Sequence, residues 1–164
     1  MKGKFLIPVL SVLVLGLCSC GTLNSSPQKK SPASIADVYN FLKTNRVYYL
    51  ATVEGDQPRV RPFGTVMLYE DRLYIQTGRK KNVSKQIKKN PKVELCAFDG
   101  KTWLRLTGKL VDDNRMAPKA AMLDAYPGLK KMYKVDDDNT QVLYFKDAEA
   151  VFNTFGQKPV VLKF

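Results

Sequence analysis

The chain contains no histidine. That absence removes Ser-His-Asp and Cys-His nucleophilic catalysis, His-ligated zinc and His-ligated haem together. Cysteine is scarce, at three in 164 residues, so a disulfide-built scaffold is excluded. No apolar run reaches the roughly 20 residues a bilayer-spanning helix needs. Acid is missing from the first 34 residues, which hold Lys2, Lys4, Lys29 and Lys30. The remaining 130 residues carry 23 basic and 15 acidic side chains, a net +8 within the chain's total of +12. Apolar and charged fractions of 45% and 26% are ordinary for one globular domain. A chain of this length buries about two thirds of its unfolded surface. Whatever chemistry occurs here falls to other side chains or to a bound cofactor.

The N-terminus reads as an address. Lys2 and Lys4 precede Phe5 to Cys18, an apolar run too short to span a bilayer and suited to a signal-peptide core. It ends in Leu17-Cys18-Ser19-Cys20, which resembles a bacterial lipobox. Residues 1–19 are then a lipoprotein signal peptide and Cys20 the lipidated residue, since bulky Leu17 makes Cys18 the poorer acceptor. An ordinary cleaved signal or a short uncleaved anchor is the plainer alternative. Covalent lipid would turn a soluble domain into a membrane-anchored one in the extracytoplasmic bacterial cell envelope. Residues 20–34 are rich in Ser, Pro, Gly and Lys and read as a flexible tether. Loss of Cys18 and lipidation of Cys20 leave Cys96 alone, so no intrachain disulfide is possible in that mature form. Cys96 sits in a strand-like run, Val93 to Phe98, and is expected to be a buried structural thiol.

Residues 35–164 are expected to be one mainly β domain with minor helices. Ser34 can cap a helix from Ile35 to Thr44, with Ile35, Val38, Tyr39 and Leu42 at helical spacing. Strands are predicted over 46–53, 59–69, 72–77, 92–98, 101–110, 141–145, 148–155 and 160–164, punctuated by turns at Gly55, Glu70-Asp71 and Asp99-Gly100. Helices are predicted over 83–89 and 116–125, the first stopped by Pro91 and the second by Tyr126-Pro127-Gly128. Short strands at near-regular spacing suggest an antiparallel barrel.

Two stretches are candidates for a ligand. Residues 79–92 hold Arg79 and six lysines with no acid. On a wheel with Val83 at zero, Ile87 lies about 40° away, while Lys85, Lys88 and Lys89 lie about 140–240° away and read as a solvated face. Arg79, Lys80 and Lys81 instead enter the helix beside Thr77, Gly78 and Asn82. A helix N-terminus there offers free N–H groups and a partial positive charge to a phosphate. Along the second stretch, alternation places Arg59 and Arg61 on one face of a strand. Either both are exposed on an edge, or an inward arginine awaits an anion. Other signals are poor. Gly100-Lys101-Thr102 lacks the first glycine of a phosphate loop, Leu95 standing there, and no G-x-G-x-x-G occurs. Asp136-Asp137-Asp138 lacks the glycine of an EF-hand and reads as a solvated acidic loop, so no metal site is expected. Nucleic acid is not an expected partner for an envelope protein, and anionic lipid headgroups suit its charge better.

The order of the pieces is more specific than any one of them. Tyr49-Leu50-Ala51-Thr52-Val53, Pro58-Arg59-Val60-Arg61-Pro62-Phe63-Gly64, Leu73-Tyr74-Ile75-Gln76-Thr77-Gly78, a Lys-rich helix entry and Asn90-Pro91-Lys92-Val93-Glu94-Leu95 follow one another. This succession resembles the FMN-binding split-barrel family that includes the pyridoxamine 5'-phosphate oxidases, and within it the nitroimidazole-resistance-type branch. The resemblance implies a homodimer of six-stranded antiparallel Greek-key split barrels with short flanking helices, binding FMN in clefts at the interface. It implies that Arg61 reaches the flavin phosphate or ribityl chain and that the backbone of Pro62, Phe63, Gly64, Thr65 and Val66 lies along the ring. Gln76 and Thr77 would close the next strand, and Lys80, Lys81 and Asn82 would clamp the phosphate, in a register open within residues 79–83. Trp103 falls where the oxidases carry a polar side chain near the ring, and would stack there or block the pocket.

The same resemblance implies an oxidoreductase acting on an unknown small molecule, with no catalytic side chain required. A true pyridoxamine 5'-phosphate oxidase is not expected, because the segment with Arg and His that binds the vitamin has no counterpart. The alternatives are a deazaflavin cofactor, a non-catalytic flavin-binding module, or a cofactor-free barrel. In an exported protein, the flavin would be acquired non-covalently outside, once folding and dimerisation form the site.

Overall fold

Ser34 begins the first helix as a capping box. Its hydroxyl accepts from the Asp37 amide at 3.3 Å, while the Asp37 carboxylate accepts from the Ser34 amide at 2.7 Å. The computed structural model describes residues 33–164. The segments expected to be a signal peptide (residues 1–19) and a tether, Cys20 included, lie outside the described residues up to residue 32. Helix α1 (Ile35–Asn45) buries Val38 and Leu42. It is followed by β1 (Tyr48–Glu54), β2 (Gln57–Phe63), β3 (Met67–Tyr69) and β4 (Arg72–Gly78). Then come α2 (Asn82–Lys89), β5 (Lys92–Phe98), β6 (Thr102–Asp113) and α3 (Met116–Ala125). A 3-10 turn (Pro127–Lys131), β7 (Thr140–Thr154) and β8 (Val160–Lys163) complete the order. Among the described residues, no helix is long and apolar enough to cross a membrane.

All strand pairs are antiparallel, in the order β2-β1-β5-β6-β7-β4-β3, with β8 paired to β7. The stretch predicted as one strand over 59–69 is broken at Gly64–Val66 into β2 and β3. The sheet's two ends are therefore consecutive pieces of one interrupted strand. Counting them once, six strands form a ring that closes through the break. The predicted segments 141–145 and 148–155 are instead one long strand, β7, with Asp147 at φ 51° inside it. One edge of β7 pairs continuously with β6 apart from a bulge at Thr107/Lys109, whereas its other edge serves β4 over residues 140–144 and β8 over 149–152. That division of one edge between two partners is what splits the barrel.

Alternation decides what lies inside. Tyr48, Leu50 and Thr52 of β1, Val93, Leu95 and Ala97 of β5, and Leu104 and Leu106 of β6 all face the core. A second small cluster, Met67, Tyr74, Val142 and Met122, places α3 against β3, β4 and β7, which is why β4 is buried along nearly its whole length. The same alternation corrects the expectation for Cys96: its neighbours Leu95 and Ala97 point inward, so the thiol lies on the outer face and is exposed. Its pKa is nonetheless raised, by partial burial first, so it stays a protonated thiol at neutral pH.

Candidate functional site

The cleft is built at the strand break. Arg59, at the end of the β1–β2 hairpin, pairs in solvent with Glu54 at 2.8 Å. Arg61 turns toward the protein. One of its terminal nitrogens donates to the Leu50 carbonyl at 3.2 Å and to Thr52 Oγ1 at 2.7 Å, and the other to Gln86 Oε1 at 2.7 Å. Thr52 Oγ1 itself donates to Gln86 Oε1 at 2.6 Å. Every one of these partners is neutral. Burial first, then the charge of Arg59, lowers the Arg61 pKa from its ordinary value, yet a guanidinium remains protonated at any physiological pH. The result is a half-buried cation held by dipoles, with no carboxylate in direct contact among the described residues and Glu54 acting on it only through space.

Around this cation lies a cavity of about 210 Å³, lined by Arg61, Pro62, Phe63, Gly64 and Thr65 of β2 and the break, Gln76 and Thr77 of β4, and Lys81 and Val83 of the α2 entry. Eight residues singled out from the sequence thus meet in one place. A larger hollow of about 480 Å³ lies over β1, β5 and β6, but its Lys109 is neutralised by Asp147 at 2.9 Å. Convergent uncompensated charge, rather than size, marks the smaller cleft as the candidate site.

The entry to α2 narrows the anion-binding register. Asn139 occupies the loop before it: its carbonyl accepts from the Arg79 amide at 2.8 Å and its side-chain oxygen from the Lys80 amide at 3.1 Å. The Lys81 amide turns back to Gly78 at 3.0 Å. A Cβ on Gly78 would stand 3.0 Å from Asn139 Oδ1 and 3.2 Å from the Tyr133 hydroxyl, so a larger residue there would press on the Asn139 and Tyr133 side chains. The α2 N-cap, Lys81, makes no side-chain capping bond, and the first turn holds no acid. The amides left to receive an anion belong to Asn82 and Val83. Arg79 is committed elsewhere, forking onto the Asp112 carboxylate and Asn114.

Four of the residues expected at the site stand apart from the cleft lining. Val66 is buried behind it. Lys80 and Asn82 are exposed at the α2 entry. Trp103 lies on β6, its ring 5.0 Å from that of Phe155, outside this cleft of the single chain. Sequence reasoning missed Val83, Thr52 and Gln86. Gln86 carried a signal, since it falls on the apolar side of the α2 wheel beside Val83 and Ile87. Thr52 carried one too, being in phase with Tyr48 and Leu50. Lys85, Lys88 and Lys89 are exposed as expected. The acidic loop is more ordered than a solvated one. Burial pushes the Asp137 pKa up, but hydrogen bonds from Lys134, Thr140 and Asn139 outweigh it and hold it at about 2. No cluster of three metal-ligating side chains occurs among the described residues.

Comparison with known proteins agrees with this architecture. A family model described as pyridoxamine 5'-phosphate oxidase matches residues 36–150. A solved NimC/NimA family protein from Clostridium acetobutylicum is 44% identical, over 80% of this chain and 92% of its own, with a TM-score of 0.77. General Stress Protein 26 from Bacillus anthracis is 18% identical, over 76% and 94%, at 0.63. A heme binding protein from Mycobacterium smegmatis is 15% identical, over 80% and 58%, at 0.59. These last two likenesses are of fold alone. None of the curated proteins matches the chain.

Proposed function

The chain belongs to the pyridoxamine 5'-phosphate oxidase family, and from that premise we propose that it binds FMN in the Arg61 cleft and acts as an oxidoreductase on a small molecule. The observation that carries this reading is the neutral-partnered Arg61 guanidinium facing the same cavity as Lys81 and the open N-terminus of α2. A dianionic phosphate would meet two cations and two free amides there, and no carboxylate lines the cavity; Glu54 acts on Arg61 only through space. The donor set fits the group. Arg61, Lys81 and the amides of Asn82 and Val83 would hold the phosphate. The backbone of Pro62 to Thr65 would run beside the ring, and Gln76 and Thr77 would bound the far side.

FMN supplies hydride or single-electron transfer when bound. The chain's own contribution is orientation. No Asp or Glu lines the cleft, so its residues hold a ligand without trading protons with it. The cavity's ~210 Å³ falls short of the roughly 300–1,000 Å³ typical of small-molecule pockets. A second copy of the chain would supply the remaining wall. The outer face offers the surface for it: Tyr49, Cys96, Arg105, Val151 and Val161 form one cross-strand row, with Phe98 and Trp103 paired beside it. Tyr49 and Phe98 are each 55% exposed and Phe155 77%, large apolar side chains of the kind a partner surface covers. Export as a lipoprotein through Cys20 completes the proposal, on the strength of Leu17-Cys18-Ser19-Cys20.

The test is a visible absorption spectrum of the purified protein before and after adding FMN. The expected result is a protein-bound flavin spectrum at one FMN per chain. Arg61→Ala with Lys81→Ala should abolish retention while the far-ultraviolet circular dichroism is unchanged. Unaltered affinity in the double variant would refute the phosphate clamp. Failure of a folded wild type to bind FMN would favour a deazaflavin or a barrel without a redox role.

A further inference from the structure

Where the barrel strand breaks, side chains take the place of a neighbouring strand. The Tyr126 hydroxyl accepts from the Val66 amide and donates to the Val66 carbonyl, both at 2.9 Å. The Tyr48 hydroxyl donates to the Thr65 carbonyl at 2.7 Å. Thr65 Oγ1 accepts from the Gln76 amide at 3.1 Å, tying the break to β4. One phenol thus satisfies both backbone groups of a single residue, as a paired strand would, and then stops. A real strand would go on to pair Gly64 and Thr65 as well. Among the described residues no backbone group takes the Gly64 or Thr65 amide, and both residues line the cleft.

Tyr126 is itself well held. Its amide donates to the Met122 carbonyl at 3.1 Å at the end of α3. It packs against the cluster of Met67, Tyr74, Met122 and Val142, and the Lys43 ammonium sits 4.1 Å from its ring centroid. Tyr48 is wholly buried. Two anchored phenols, one from β1 and one 60 residues beyond the break, therefore fix a three-residue gap that has no ladder of its own.

We infer that Tyr126, seconded by Tyr48, is a positioning residue: it pins Val66 and Thr65 so that the unpaired amides of Gly64 and Thr65 are presented to the ring of the bound flavin. The inference rests on the flavin reading of the cleft. It goes further by assigning the aim of the ring-side backbone to a residue that touches no ligand.

The experiment compares the full chain in detergent with its Tyr126→Phe and Tyr48→Phe variants, which keep the rings and remove only the hydroxyls. Amide exchange without flavin is read first, then FMN titration followed by the visible band of the bound flavin. In Tyr126→Phe the Val66 amide is expected to exchange more than tenfold faster, with the Leu95 and Leu106 amides unchanged. FMN affinity should fall about tenfold, and the bound-flavin band should shift. Tyr48→Phe should show a smaller loss in the same direction and serves if Tyr126→Phe fails to fold. Wild-type binding of FMN with unchanged affinity and band position in the variants overturns the inference alone, even if their melting temperatures fall. Unchanged Val66 exchange overturns it too. A wild type that binds no FMN overturns the flavin reading and the inference with it.

Discussion

Single residues in this barrel are set by what surrounds them more than by their type. Arg59 and Arg61 alternate onto one strand face, yet one is an exposed partner of Glu54 and the other a half-buried cation on Thr52 and Gln86. Asp113 is a parallel case in the opposite charge. Its carboxylate is buried and accepts from Arg115 and from the Tyr74 hydroxyl at 2.9 Å. The Arg115 hydrogen bonds chiefly hold its pKa down at about 2. A carboxylate depressed in the folded state adds stability above its unfolded pKa of about 3.9, and loses it as pH falls through about 2. Asp113→Asn should therefore cost on the order of 2 kcal/mol at pH 7. The difference from wild type should shrink between pH 4 and pH 2, as thermal melts across that range would show.

At the scale of elements, irregularities rather than regular strands shape the barrel and its candidate site. The break at Gly64–Val66 makes the cleft, and the bulge between Thr107 and Lys109 lets β6 follow β7 past its kink at Asp147. Gly108 sits at that bulge, where a Cβ would lie 3.2 Å from both the Cα and Cβ of Ala148 and 3.2 Å from the Phe145 ring. Backbone on one side leaves no flexible side-chain end to move away. Gly108→Ala should lower stability by about 1–3 kcal/mol through overpacking. Urea unfolding would register this as a lower midpoint at unchanged slope. The helices were the most legible elements, because capping and stop residues act locally: Ser34 opens α1, and Tyr126-Pro127 closes α3. The break and the kink were not legible. A β-rich run with one glycine reads the same whether it is continuous or interrupted, and only pairing partners decide which.

For the molecule as a whole, the exposed aromatic face and the undersized cleft belong to one question, the proposed second copy. Phe98→Asp would place a charge in the middle of that face without touching the core, since Phe98 already points outward. Light scattering should then give a particle of half the wild-type mass. FMN retention should fall with it, because the missing wall of the cleft would be lost. A wild type that is monomeric and still binds one FMN per chain would remove the second copy from the account.

Sequence by itself determined the class of fold, the main helices and turns, and, through the resemblance its ordered motifs carry, the short list of residues around the cleft. Periodicity, turn chemistry and the absence of histidine are local or compositional facts, and they survive without coordinates. Tertiary structure alone decided that Cys96 is exposed, that Asn139 occupies the amides of Arg79 and Lys80, and that Arg79 is spent on Asp112 while Arg61 is not. It alone brought Tyr126 to Val66. Apart from Cys96, whose side follows from the phase of β5, each of these depends on contacts across tens of residues, where closing the ring selects which neighbours meet, and no local pattern encodes that choice.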